Sequence, residues 1–193
     1  SAKNIQEKIM RVISGKYRGK RLFAPEGKFV RPTTDRIKET VFNILSSKND
    51  FEGAYILDLF AGSGALGIEA LSRGAKSAVF IDNSAESVKY IRANLANVGI
   101  DAQVFNTDFR VALRKLSGKE KFDYIFIDPP YFAQAEKVVF DLIEEYNILS
   151  EKGIIFWEHS TKIDLPELEK RYIIDTRKCG ITYISFLYRR NND

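Results

Sequence analysis

The sequence predicts an α/β protein: a doubly wound, Rossmann-like, mostly parallel seven-stranded sheet with an antiparallel last strand, preceded by a small N-terminal β-hairpin. Three observations lead there. From Tyr55 onward, short apolar runs alternate with amphipathic stretches at helical spacing, which implies parallel pairing through crossovers. The first of these runs ends in a glycine loop, Ala61-Gly62-Ser63-Gly64-Ala65, at the kind of strand end where open α/β sheets bind ligands. The last two runs are separated only by Lys178-Cys179-Gly180-Ile181, too short for a crossover, so they must form a hairpin.

The elements follow in order. Arg11 to Ala24 alternates around Gly15 and Gly19 and reads as a hairpin with a charged face. Pro25, Gly27 and Pro32 interrupt regular structure after it. Ile37, Val41, Ile44 and Leu45 then recur at helical spacing, which predicts a helix over 35–46 with Thr34 or Asp35 as its N-cap. Strands are expected at 55–60, 77–82, 102–106, 122–128, 153–158, 171–176 and 181–189. Helices are expected at 64–73, 85–98, 108–116, 134–146 and 165–170. The 85–98 helix is the clearest, because Val88, Ile91, Leu95 and Val98 share a face and Gly99 can end it. The chain thus divides into a basic arm, 10–32, and a main domain, 33–193.

With 45 % hydrophobic and 29 % charged residues, the composition is that of a soluble globular domain. No apolar run approaches the roughly 18 residues of a membrane span, and no signal-peptide pattern is present. The single Cys179 excludes an internal disulfide and a Cys-based cluster, and the single His159 excludes a multi-His metal site. No metal is expected, and a reducing cytoplasm is the plain location. His159 and Glu158 end a strand; the histidine reads as structural, and the glutamate as part of a pocket floor.

Charge is uneven. Residues 8 to 31 carry eight basic side chains and one acid, while the rest of the chain carries a net −3. A basic arm on a slightly acidic body, with Tyr17, Phe23 and Phe29 interleaved, marks a polyanion binder. Arg11, Lys16, Arg18, Lys20, Arg21, Arg31 and Arg36 are the candidate nucleic-acid contacts. The arm is expected to be separate from the glycine loop.

Gly62-Ser63-Gly64-Ala65-Leu66-Gly67 matches G-x-G-x-x-G between a strand and a helix. Glycines let the backbone approach a nucleotide-like cofactor, and the helix start supplies N–H donors. Asp82 ends the second strand, where a carboxylate can accept from ribose hydroxyls. This much fits NAD as well as S-adenosylmethionine. Asp58, inside the first strand between Leu57 and Leu59, tips the reading. It can orient the loop or meet the cationic end of a methionine moiety, and it would repel a pyrophosphate. Asp108 and Phe109 follow the third strand and can meet an adenine, or simply start the next helix. The candidate cofactor residues are Asp58, Gly62, Ser63, Gly64, Asp82, Asn83, Asp108 and Phe109.

The fourth strand, Phe122 to Ile127, runs into Asp128-Pro129-Pro130-Tyr131. An exocyclic amine on a base is a poor nucleophile, because its lone pair is delocalised into the ring. Two acceptors set about the nitrogen, the Asp128 carboxylate and the Pro129 carbonyl, favour a localised lone pair and aim it at a methyl donor. Two prolines fix φ and hold those acceptors rigid. Tyr131 can stack on the base, worth about 1–3 kcal/mol by analogy with single-strand binders. Cys179 lies in no motif, which argues against carbon methylation through a cysteine adduct. The catalytic candidates are Asp128, Pro129 and Tyr131, and the reaction they point to is methyl transfer from S-adenosylmethionine to an amino group.

Arg11-Val-Ile-Ser-Gly-Lys-Tyr-Arg-Gly19, Arg31-Pro-Thr-Thr-Asp-Arg-Ile-Lys-Glu-Thr-Val-Phe-Asn43, Leu57 to Gly67 and Asp128 to Tyr131 together resemble the RsmD-type 16S ribosomal RNA guanine-N2 methyltransferases. The resemblance runs from Met10 to about Tyr188. It implies a class I S-adenosylmethionine-dependent methyltransferase fold and S-adenosylmethionine as donor. It also implies one guanine of small-subunit rRNA as target, in an assembled or assembling particle. By motif match, Asp58, Gly62, Gly64 and Asp82 carry over as cofactor contacts, and Asp128 and Tyr131 as pocket residues. Ile81-Asp82-Asn83 departs from the Glu-then-Asp expected of relatives. Thr33, Thr34 and Arg36 are expected near the strand ends. A monomer is expected.

Three rivals differ in testable ways. An amino methyltransferase for adenine N6 or for a protein glutamine shares Asp-Pro-Pro-Tyr. The basic arm disfavours a protein substrate, and the length leaves no DNA target-recognition domain. An NAD-dependent oxidoreductase needs a hydride-transfer residue and a second domain, neither of them visible. A non-catalytic RNA chaperone needs neither Asp58 nor Asp128.

Overall fold

The computed structural model describes residues 7–25, 34–129, 135–160 and 166–190. Arg31, Thr33, Pro130 and Tyr131 lie outside the described residues.

A central sheet takes seven strands: β3 (Tyr55–Leu59), β4 (Ser77–Asp82), β5 (Gln103–Asn106), β6 (Phe122–Ile127), β7 (Leu149–His159), β8 (Tyr172–Cys179) and β9 (Thr182–Arg189). Their spatial order is β5-β4-β3-β6-β7-β9-β8. The five strands from β5 to β7 pair in parallel, and β9 inserts antiparallel between β7 and β8. The β8–β9 hairpin turns on Gly180 and Ile181, with Gly180 at a φ of 62° that favours glycine in a two-residue turn.

Helices cover both faces. Over one face lie α1 (Asp35–Lys48), α2 (Ala65–Ser72) and α3 (Ala85–Val98), packed on Ile56, Phe80, Tyr124, Phe126 and Phe156. Over the other lie α4 (Phe109–Leu116), α5 (Ala135–Glu145) and α6 (Pro166–Arg171), packed on Leu57, Ile81, Ile125, Ile127 and Trp157. Alternate strand residues feed the two cores, so every central strand is apolar on both sides. Thr34 caps α1 by accepting from the Ile37 amide. Gly99 closes α3 at φ 82°.

The N-terminal hairpin pairs β1 (Glu7–Arg11) with β2 (Arg21–Pro25) as a separate two-stranded sheet, and β1 begins ahead of the expected boundary at residue 10. It is not separate from the rest of the protein. Met10, Val12, Leu22 and Ala24 are buried in the same core as α1, α2 and α3. A two-stranded ribbon is at best marginal in water, and this one is held by docking. Gly15 is why the docking is so close: a Cβ there would lie 1.9 Å from the Ser72 carbonyl oxygen, and φ is +88°.

Candidate cofactor and amine site

The chain runs outward from β3 to β4 and β5, then returns to place β6 on the other side of β3. That reversal opens a crevice beyond the carboxyl ends of β3 and β6, where ligands of doubly wound sheets bind. Leu59 pairs with Ile127, so the glycine loop after β3 and Asp128 after β6 leave the sheet side by side. The glycine loop and Asp128, both singled out from the sequence, therefore meet at one place.

The loop is built by its neighbours. Gly62 and Gly64 hold φ of 61° and 80°. A Cβ on Gly62 would meet nothing within 4 Å, so the loop presents bare backbone to open space. Gly67 serves packing instead. A Cβ there would lie 2.4 Å from the Phe80 ring, so glycine lets α2 press onto β4. Asp58 is 2 % exposed, and its carboxylate accepts from the Gly67 amide at 3.0 Å. Burial pushes its pKa well above the ordinary carboxylate value; the Gly67 N–H opposes this, and the Asp82 charge adds to it. This bond ties Asp58 to the first turn of α2, directly behind the glycine loop.

Asp82 also shapes the loop. One carboxylate oxygen accepts from the Gly62 amide at 2.9 Å and the other from the Ser84 amide at 2.9 Å. Each oxygen keeps a further acceptor site, and the residue is half-buried. Asn83 is exposed beside it, and Ser63 is buried. Asp108 caps α4, accepting from the Arg110 amide at 2.8 Å, and it pairs with the Arg110 side chain at 3.2 Å. Phe109 is buried, its ring 5.3 Å from that of Phe60 and under the Arg110 guanidinium at 4.5 Å. Asp108 and Phe109 therefore have structural roles whatever they meet in a ligand.

Asp128 and Pro129 are half-buried at the end of β6. Beside them, Trp157 on β7 pairs with Ile127 in register. Its ring stacks on His159 at 4.0 Å, and His159 bonds Ser185 through Nε2 at 2.7 Å. Glu158 is buried. Glu136, in the first turn of α5, is buried with Oε2 lacking a hydrogen-bond partner. Burial raises its pKa to about 7; the nearby Trp157 indole pulls slightly the other way, without the geometry of a hydrogen bond.

The arm residues Arg11, Lys16, Arg18, Lys20 and Arg21 are all exposed, as is Arg36. Among the described residues none of the six forms an ion pair. A surface depression of about 670 Å³, lined by Tyr17, Tyr55, Lys76 and Phe122 among others, lies at the opposite, amino ends of the strands. It is remote from the glycine loop and is not this site.

Sequence reasoning missed the residues that seat the arm. Lys38 and Glu69 are both fully buried and 3.7 Å apart. Lys38 also donates to the Arg11 carbonyl at 2.6 Å. Glu69 accepts from the Ile13 and Ser14 amides and from Arg73. Ser72 accepts from the Tyr17 amide and donates to the Ser14 carbonyl. Asn94, also fully buried, reaches both the arm and the glycine loop. The available signal was a polar residue on an apolar face: Lys38 lies in line with Val41, Phe42 and Leu45, and Asn94 with Ile91, Leu95 and Val98.

The family model described as Conserved hypothetical protein 95 matches residues 10–188. The chain is 40 % identical to the putative rRNA methyltransferase YlbH of Bacillus subtilis, over 94 % of this chain and all of that one. It is 33 % identical to the Escherichia coli ribosomal RNA small subunit methyltransferase D, over 94 % and 90 %. A solved structure described as the putative methyltransferase yhhF from Escherichia coli superposes with a TM-score of 0.80 at 30 % identity, over 95 % and 99 % of the two chains. The sheet order is that of the class I methyltransferases. The chain belongs to the Conserved hypothetical protein 95 family, that of the RsmD-type rRNA methyltransferases.

Proposed function

We propose that this protein methylates the exocyclic N2 amine of one guanine in 16S ribosomal RNA, acting as a monomer in the cytoplasm on a small-subunit particle or its assembly intermediate. The observation that carries the reading is the juxtaposition of Asp128 with the glycine loop across the β3–β6 crevice. Names of relatives support the substrate class: one at 33 % identity is a small-subunit rRNA methyltransferase.

The residues present fit S-adenosylmethionine. Gly62 offers open backbone, the Asp82 carboxylate has acceptor capacity left, and α2 begins at Gly64 with no side-chain cap on its amides. Gly62, Ser63, Gly64, Asp82 and Asn83 would hold the cofactor, with Asp58 behind them and Asp108 and Phe109 toward the adenine. When bound, it supplies an electrophilic methyl group on a sulfonium.

The protein's own part is to prepare the nitrogen. The Asp128 carboxylate and the Pro129 carbonyl accept the two N–H bonds of the amine, so its remaining lone pair points into the crevice. As the nitrogen becomes cationic, the Asp128 charge stabilises it more than it stabilises the neutral amine, which is where rate is gained, and the proton that the methylated nitrogen then sheds passes to the Asp128 carboxylate already bonded to it. Tyr131 stacks on the base. The exposed cations of the arm, with Arg31 and Arg36, grip phosphates.

Asp128→Ala tests this division of labour. S-adenosylhomocysteine should bind to the variant by calorimetry within about threefold of wild type, while turnover on small subunits falls by about 100-fold or more, the loss of one electrostatic stabiliser. Turnover near the wild-type rate would refute the acceptor pair.

A further inference from the structure

We infer that Asn94 is a positioning residue that couples cofactor occupancy to RNA grip, by bonding the glycine loop and the arm through one buried amide. This rests on the reading of the arm as an RNA-binding element.

The geometry is specific. Asn94 is on the buried face of α3 and is 0 % exposed. Its Oδ1 accepts from the Phe23 amide at 2.9 Å. Its Nδ2 donates to the Phe23 carbonyl at 2.8 Å and to the Ser63 carbonyl at 2.9 Å. The orientation is not free to reverse, because a flipped amide would set its NH2 against an N–H and its oxygen against two carbonyls. One side chain thus reads the backbone of β2 and the backbone of the cofactor loop together. Phe23 lies between Arg21 and Pro25 on the strand that carries part of the basic face.

The second attachment of the arm also leads to the cofactor loop. Glu69 and Ser72, which hold residues 13 to 17, lie on α2, the helix that the loop starts. The arm has little stability of its own. Its seating is therefore the two-state element: seated with these bonds made, or loosened with them broken. A cofactor that fixes the Ser63 peptide in the orientation Asn94 requires favours the seated arm. By linkage, RNA that holds the arm seated tightens cofactor binding by the same factor.

Asn97 supplies the control. It is on the same helix and donates to the Arg21 carbonyl of the same strand at 2.8 Å. The bond it makes is to the arm and not to the loop. If Asn94 only helped to dock the arm, both asparagines would behave alike.

The first measurement uses the wild-type protein, so it does not depend on any variant folding. Hydrogen exchange is followed with and without saturating S-adenosylhomocysteine and no RNA. Exchange at the Leu22–Ala24 amides should slow by about threefold or more. Unchanged exchange there would overturn the coupling. The second measurement is affinity for small ribosomal subunits lacking the methyl mark, with and without S-adenosylhomocysteine. The ratio should be about fivefold in wild type and in Asn97→Ala, and close to one in Asn94→Ala. An undiminished ratio in Asn94→Ala would overturn the role of this residue. Slowed exchange together with arm charge reversals that leave subunit affinity untouched would overturn the RNA role of the arm, and with it the coupling to RNA. That result would leave the proposed methylation standing.

Discussion

Replacing Glu69 by glutamine should damage this protein more than replacing its partner Lys38 by methionine. Both side chains are fully buried. At 3.7 Å the pair attracts by about 4–5 kcal/mol at an effective dielectric of about 20, set against the desolvation of both ions. Burial pulls the Lys38 pKa down, and Glu69 holds it up. Glu69→Gln leaves Lys38 as a buried ammonium with only the Arg11 carbonyl. It also turns an NH2 either toward Arg73 and the Ser14 amide or toward the Ile13 amide and Lys38, all of which are donors. A buried charge that loses its partner costs about 3–5 kcal/mol, a large share of the roughly 5–15 kcal/mol that ordinary domains have. Lys38→Met removes a charge instead of stranding one. Glu69 keeps Arg73 and two amides, and methionine fills the space, so about 1–3 kcal/mol is expected, mostly from the orphaned Arg11 carbonyl. Urea unfolding followed by circular dichroism measures both. Limited trypsin digestion at Lys16, Arg18, Lys20 and Arg21 reports whether the arm has come loose, and Glu69→Gln should be cut fastest. A cost below about 1 kcal/mol for Glu69→Gln, or a larger cost for Lys38→Met, would refute the reasoning.

Glu136 supplies a pH signature. Its native pKa of about 7 is above the ordinary 4.5, so the stability it confers is full below about 4.5 and is lost as pH rises through 7. Glu136→Gln should therefore match wild type near pH 4.5 and exceed it by about 2–3 kcal/mol at pH 8, checked by urea melts at both; a difference constant with pH would contradict it. For the arm, charge reversal at Arg18, Lys20 and Arg21 should weaken binding to small subunits several-fold and flatten the dependence of log affinity on log salt, which has a slope of about −0.7 to −0.9 per neutralised phosphate. An unchanged slope in filter-binding titrations would mean that the three cations are solvated surface.

Most of the fold was legible because its determinants are local. The α3 helix appears where Val88, Ile91, Leu95, Val98 and Gly99 placed it, and the β8–β9 hairpin follows from a turn too short for anything else. The places of the glycine loop and of Asp128 were legible too, since each follows directly on a strand. Their adjacency came from sheet order, which no local pattern states. What could not be read was how the arm sits. Its seat uses Lys38, Glu69, Ser72 and Asn94, whose partners are 27 to 71 residues away. Each reads locally as a surface residue, and only its place on an apolar face betrayed it. Asp58 and Asp108 each make a structural bond that the sequence allowed, to the Gly67 and Arg110 amides.

The central claim is the identity of the methylated atom. Small ribosomal subunits from cells lacking this protein, incubated with it and methyl-labelled S-adenosylmethionine, should yield labelled N2-methylguanosine from 16S rRNA on nucleoside mass spectrometry, at about one per particle. Label in N6-methyladenosine, in ribosomal protein, or in no RNA nucleoside would contradict the account.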